Sequence, residues 1–131
     1  MNAPVCGKTK SQLKREGHSE KGTQAYILQK LELMELQGKV WFQRNNSFAG
    51  KIIRPGGSTG FIKNNKPGAP DIICCFPIIG GYGHFVGIEV KGPSGAYEDS
   101  QEPAHQAIRR VGGTVWTVWC PEDFDKLLTT L

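Results

Sequence analysis

Gln24, Ile27, Leu28, Leu31 and Met34 recur at helical spacing, which predicts a helix that starts near Ser19 and is ended by Gly38. Val40 to Arg44 is rich in strand formers. Residues 45–68 are crowded with Asn, Gly, Lys and Pro, which predicts a long loop holding one short strand at Lys51 to Arg54. Asp71 to Phe76 and Phe85 to Lys91 are the clearest strands, and the glycine-rich connection through Gly80, Gly81 and Gly83 predicts an antiparallel pair. A second helix is expected from Asp99 or Ser100, with Pro103 tolerated in its first turn and Ala104, Ala107, Ile108 and Val111 as its buried stripe. Thr114 to Cys120 reads as a further strand. A closing helix from Pro121 or Glu122 carries Phe124, Leu127, Leu128 and Leu131 on one face. Met1 to His18 has no periodicity and is expected to be a mobile basic arm, so that residues 1–18 precede a domain at 19–131. The order of elements implies an α/β fold, a central mixed sheet flanked by helices.

With 131 residues and 17 glycines, one domain with several tight loops fits the composition, and fibrous classes are excluded. No segment is apolar enough for a membrane span and no signal-peptide core is visible, so the expected location is the cytosol, or the host cytoplasm if the chain is virus-encoded. Cys74 and Cys75 are neighbours on a strand, point to opposite faces, and can neither chelate one ion together nor form an activated thiol pair. Cys6 and Cys120 are read as free thiols, as a reducing compartment would keep them.

The net charge is +4, and the excess cations cluster. Lys8, Lys10, Lys14, Arg15 and Lys21 crowd the start, with Arg44, Lys51, Arg54, Lys63 and Lys66 in the middle. Such a surface attracts a phosphate backbone, although a solvated basic arm gives the same pattern.

The chemistry concentrates in Gly68-Ala69-Pro70-Asp71 and Glu89-Val90-Lys91. Side chains alternate along a strand, so Glu89 and Lys91 share a face, and pairing with the preceding strand brings Asp71 beside Glu89. Two carboxylates about 4 Å apart repel by roughly 4 kcal/mol at an effective dielectric of about 20, which a cation between them would relieve. Oxygen ligands with no Cys or His at metal spacing favour Mg²⁺ or Mn²⁺ over zinc. Such an ion can activate water against a phosphate, and Lys91 would orient that water and offset developing charge. Each half alone is common: Pro-Asp marks many turns, and Glu-x-Lys many exposed strands. Their joint occurrence on adjacent apolar strands is what singles them out.

These motifs resemble the PD-(D/E)XK nucleases, and more narrowly the VRR-NUC family of virus-type replication and repair nucleases. The resemblance spans about Glu20 to Leu128: Glu20 early in a first helix, Gly68 to Asp71, Glu89 to Lys91, Gly95, Gln101 on a helix, Gly113 to Val115, and Pro121 to Leu128. It implies a restriction-endonuclease-like fold, with residues 19–131 as the nuclease domain. Asp71, Glu89 and the Val90 carbonyl would hold the metal, Lys91 would be catalytic, Glu20 would complete the acidic site directly or through water, and Gln101 would steady it. Glu20 also fits a helix-start acid that complements the dipole, and Gln101 a surface glutamine. Standalone members of the family are linked to branched DNA, including four-way junctions, whose resolution by two symmetric cuts implies a homodimer. The expected activity is therefore structure-selective DNA cleavage at junctions or flaps, and the competing expectation is a non-catalytic nucleic-acid-binding module on the same fold. Of the remaining residues, His84 is read as structural, and Trp41, Trp116 and Trp119 as core or interface aromatics.

Overall fold

A computed structural model describes residues 4–45, 50–62, 66–94 and 101–131. Its elements, in chain order, are α1 (Lys10–Arg15), α2 (Glu20–Leu36), β1 (Trp41–Arg44), β2 (Gly50–Ile53), β3 (Thr59–Ile62), β4 (Ile72–Ile78), β5 (Tyr82–Val90), α3 (Gln101–Arg110), β6 (Thr114–Val118) and α4 (Pro121–Leu128). The protein is mixed α/β, with a mixed four-stranded sheet flanked by helices. Strand order is β1-β4-β5-β6, with β1/β4 and β4/β5 antiparallel and β5/β6 parallel. No helix among the described residues is long and apolar enough to cross a membrane.

Alternation along β5 gives the sheet two different faces. Ile88 and Val90 point into the main core with Ile72, Cys74 and Phe76 of β4, Trp116 and Val118 of β6, Ile27 and Leu31 of α2, and Phe124 of α4. Glu89, between them in sequence, points to the opposite face, where α3 packs against β6. The α2 start is fixed by Ser19, whose hydroxyl accepts from Gly22 N at 3.0 Å. A Cβ at Gly22 would stand 3.1 Å from that oxygen, so the glycine lets the cap close. At the other end Gly38 adopts a positive φ of 72°, and Lys39 N returns to Met34 O at 2.9 Å.

Three expectations are corrected. Residues 4–18 are not an unstructured arm: Thr9 and Gln12 form a capping box for α1, and Leu13 is fully buried against Trp119, Cys120 and Cys6. Residues 45–68 contain not one short strand but a hairpin, β2 paired antiparallel with β3, forming a separate two-stranded sheet. On α3 the buried residues are Gln101 and His105, while Ala104 and Ile108 are half-buried, Ala107 is exposed and Val111 is 86% exposed. The helix turns its polar side to the sheet because Glu89 and Lys91 occupy the face it covers. Its apolar stripe instead lines a groove of about 770 Å³ with Ile73, Phe85, Ala69 and Pro70.

Candidate active site

Asp71 sits one residue before β4, and Lys91 one residue after β5. The last β4/β5 partners are Ile72 and Ile88, so the register carries Asp71 opposite Glu89. The two carboxyl groups lie on the same face, close enough for the charge of Asp71 to act on Glu89. Asp71 Oδ2 also accepts from Val90 N at 2.8 Å, and Asp71 O from Asn45 N at 2.7 Å, which pins the residue between β1 and β5. Lys91 N donates to Val118 O at 2.8 Å, extending the parallel β5/β6 pairing by one residue.

Gln101, the first residue of α3, bridges the acid and the base. Its Nε2 donates to Glu89 Oε1 at 2.7 Å and its Oε1 accepts from Lys91 Nζ at 2.7 Å. The direct Lys91 Nζ to Glu89 Oε1 separation is 4.0 Å. Glu89, Lys91 and Gln101 are only 3%, 6% and 6% exposed, so these polar contacts are made where water cannot easily replace them. His105, one turn further along α3 and fully buried, places Nε2 3.5 Å from Glu89 Oε2. That separation is outside hydrogen-bond geometry, and Glu89 Oε2 accepts no hydrogen bond among the described residues.

Burial pushes the Glu89 carboxyl above its ordinary range; the His105 contact pulls it back, the charge of Asp71 adds to the rise, and Lys91 opposes it. Burial likewise raises Asp71, against the Val90 amide and the charges of Lys91 and Arg44. A buried and a half-buried acid that face one another, both with raised pKa, are the setting in which a divalent ion can take the place of a proton. Glu89 Oε2, which accepts no hydrogen bond among the described residues, offers such an ion an oxygen ligand, so the donor set fits a hard cation.

Asp71, Glu89, Lys91 and Gln101 thus come together. Glu20 begins α2 with its backbone against Gly92: a Cβ on that glycine would stand 3.1 Å from Glu20 N. Its side chain is exposed and, among the described residues, makes no hydrogen bond to Asp71 or Glu89, and the inward face of α2 begins with Thr23 instead. Sequence reading missed His105, although its four-residue spacing from Gln101 puts both on one helical face.

Among the described residues the predicted basic positions are spread over several elements. Arg44 lies at the β1 end close enough for its charge to act on Asp71, and Lys66 lines the groove beside Pro70. Lys51 and Arg54 belong to the β2/β3 hairpin, where Arg54 Nη1 donates to Thr59 O at 3.0 Å. Lys14 and Arg15 are exposed in the last turn of α1. Lys8 is paired with Glu16 and Glu122, and Lys10 lies over the Trp119 ring. Lys63 lies outside the described residues. His84 Nε2 bonds Thr114 Oγ1 at 2.7 Å, tying β5 to β6, and Trp116 and Trp119 are buried while Trp41 is exposed.

No family model, no curated protein and no solved structure matches this chain. What the fold and the site define is a mixed α/β protein with opposed carboxyl groups, a lysine and a bridging glutamine on one face of its sheet.

Proposed function

We propose that the chain is a metal-dependent nuclease with a PD-(D/E)XK fold of the VRR-NUC kind, cutting phosphodiester bonds in branched DNA such as four-way junctions or flaps. The observation that carries the reading is the opposition of Asp71 and Glu89 across the β4/β5 pair, with Glu89 Oε2 buried and accepting no hydrogen bond among the described residues. Mg²⁺ or Mn²⁺ held by Asp71, Glu89 and the Val90 carbonyl would supply a polarised water and neutralise charge on the phosphate. Lys91 is the positive group of the site, and Gln101 fixes its ammonium and the Glu89 carboxylate relative to each other. Glu20, at the Gly92 edge, would act through water. Arg44, whose charge acts on Asp71, and Lys66, in the groove beside Pro70, would take the first phosphate contacts, with Lys14, Arg15, Lys51 and Arg54 as outlying contacts.

The test is incubation of single-stranded, duplex, flap and four-way DNA with Mn²⁺, Mg²⁺ or EDTA. Cleavage that needs the metal, prefers branched substrates, and vanishes in Asp71→Ala and Lys91→Ala is the expected result; no cleavage of any substrate refutes it. Two symmetric cuts call for a homodimer, so solution scattering should return twice the 14.4 kDa of one chain. A second reading, a nucleic-acid-binding module without catalysis, draws on the near-complete burial of Glu89 and Lys91, which suits a network that only braces the sheet. Tight DNA binding without cutting would select it.

A further inference from the structure

Residues 4–9 meet the start of α4 through a cluster that the proposed active site does not use. Cys6 Sγ and Cys120 Sγ stand 3.6 Å apart although 114 residues separate them. These two sulfurs and an Asp123 carboxylate oxygen all fall within 4.8 Å of one another. Cys120 and Asp123 are buried and Cys6 is half-buried, so the cluster opens to solvent on the Cys6 side. The Asp123 carboxylate is oriented by two backbone amides: Cys6 N donates to Oδ1 at 2.9 Å and Trp119 N to Oδ2 at 2.8 Å. Each oxygen keeps a lone pair beyond the one so used. From this arrangement we propose that Cys6, Cys120 and Asp123 form a binding site for a thiophilic divalent ion of the zinc class, with water at the fourth position.

The geometry favours an ion over a bond between the sulfurs. A disulfide holds its sulfurs about 2.05 Å apart. Two thiolates on a tetrahedral zinc, with bonds of about 2.3 Å, stand about 3.8 Å apart, close to the separation in this cluster. A buried carboxylate held by backbone amides has the outer support that ligating carboxylates require, which a disulfide does not use. The charges also fit. Two thiolates and one carboxylate leave a net single negative charge around a divalent ion, at the first turn of α4. Lys8, paired with Glu122 of that turn at 3.3 Å, and Lys10, 4.5 Å from the Trp119 ring centroid, flank it.

Cysteine ligates a metal as the thiolate, so uptake by the two thiols breaks two S–H bonds, forms two metal–sulfur bonds and releases two protons, with no change of oxidation state. The ion tethers the segment that runs through α1 to Ser19 and Glu20, and so steadies the chain that packs on Gly92 beside Lys91.

The test is a titration of the reduced, metal-stripped chain with Cd²⁺, following thiolate-to-metal charge-transfer absorption and proton release. Saturation at a single ion with two protons released is expected, together with a rise in the thermal midpoint on adding Zn²⁺. Cys6→Ser, at a half-buried position that leaves the core intact, should weaken uptake on the order of a hundredfold or more and remove the rise. Cys75→Ser, at an exposed cysteine, should change neither. Absence of the band, a band of equal strength in Cys6→Ser, or air oxidation to a Cys6–Cys120 disulfide with no metal uptake overturns the proposal. Mg²⁺ gives no thiolate band, so these results stand apart from the fate of the nuclease reading.

Discussion

Glu89 and Lys91 share a strand face yet make their short contacts not with each other but with Gln101: the direct separation is 4.0 Å, against 2.7 Å from each to the glutamine amide. An amide can serve both because it donates through nitrogen and accepts through oxygen. The acid and the base are thereby held at a fixed offset, with their direct ion pair at its outer limit of 4.0 Å.

Gln101→Leu removes both bonds while keeping the bulk. Each buried polar group deprived of a partner costs about 1–3 kcal/mol, so urea unfolding should show a loss of that order for the variant. If the site is catalytic, the turnover rate should also fall by about 10–100-fold, as for loss of an outer support to a metal ligand. Unchanged stability would mean that the bridge contributes nothing to the fold.

The raised Asp71 and Glu89 carboxyls fix the sign of a pH effect. When the folded state holds a proton more tightly than the unfolded chain, it binds more protons between the two pKa values, and stability falls as pH rises through that window. The contribution is fully present below the unfolded values of 3.8 and 4.5 and is lost as pH climbs through the raised folded ones. In EDTA, thermal midpoints should therefore decline from mildly acidic toward neutral pH, and Asp71→Asn should flatten the decline. Saturating Mn²⁺ should reverse it, since a bound cation favours the ionised carboxylates. A wild-type profile that matches Asp71→Asn in EDTA would remove the basis for the coupled pair.

What could be read from the sequence follows from how local each signal is. β4 and β5 were legible because apolar runs flank a glycine-rich turn, where Gly80 and Gly81 take positive φ. Period-two alternation then placed Glu89 opposite the core face and Asp71 beside it. α1 was not legible, since a six-residue helix with one buried residue has no period to detect, and Leu13 finds its partner Trp119 across the whole chain. β3 was hidden by the glycines around it. On α3 the apolar residues suggested the wrong face, because burial there follows the acid and lysine of the sheet, which capture Gln101 and His105. The Cys6–Cys120 contact is invisible for the same reason as Leu13.

Leu13→Ala tests whether residues 4–18 belong to the fold. Leu13 is fully buried, and truncating such a leucine costs about 2–5 kcal/mol. The denaturation midpoint should drop accordingly, and deletion of residues 1–18 should lower it at least as far by exposing Trp119 and Cys120. A free arm would show no change in either experiment.

Gly87→Ala should damage the site without touching a catalytic group. A Cβ at Gly87 would stand 2.5 Å from Pro70 Cγ and 3.0 Å from Pro70 Cβ, and a proline ring has no flexible end that can swing away. Relief requires Pro70 to move, and with it Asp71, whose Oδ2 is held by Val90 N. Overpacking of this kind costs about 1–3 kcal/mol, which exceeds the roughly 0.5–1 kcal/mol that alanine recovers from the conformational freedom of glycine. A net loss in chemical denaturation is expected. If the site is the proposed nuclease centre, a displacement of about 1 Å at the reacting groups can lower the rate by about a hundredfold, so Mn²⁺-dependent cleavage should fall far more than stability does. Gly83→Ala is the control: its Cβ would meet only Cys75 Sγ, at 2.4 Å, near the other end of β5 from Glu89. If both variants lose stability and cleavage in the same proportion, the Pro70–Gly87 contact has no special part in positioning Asp71.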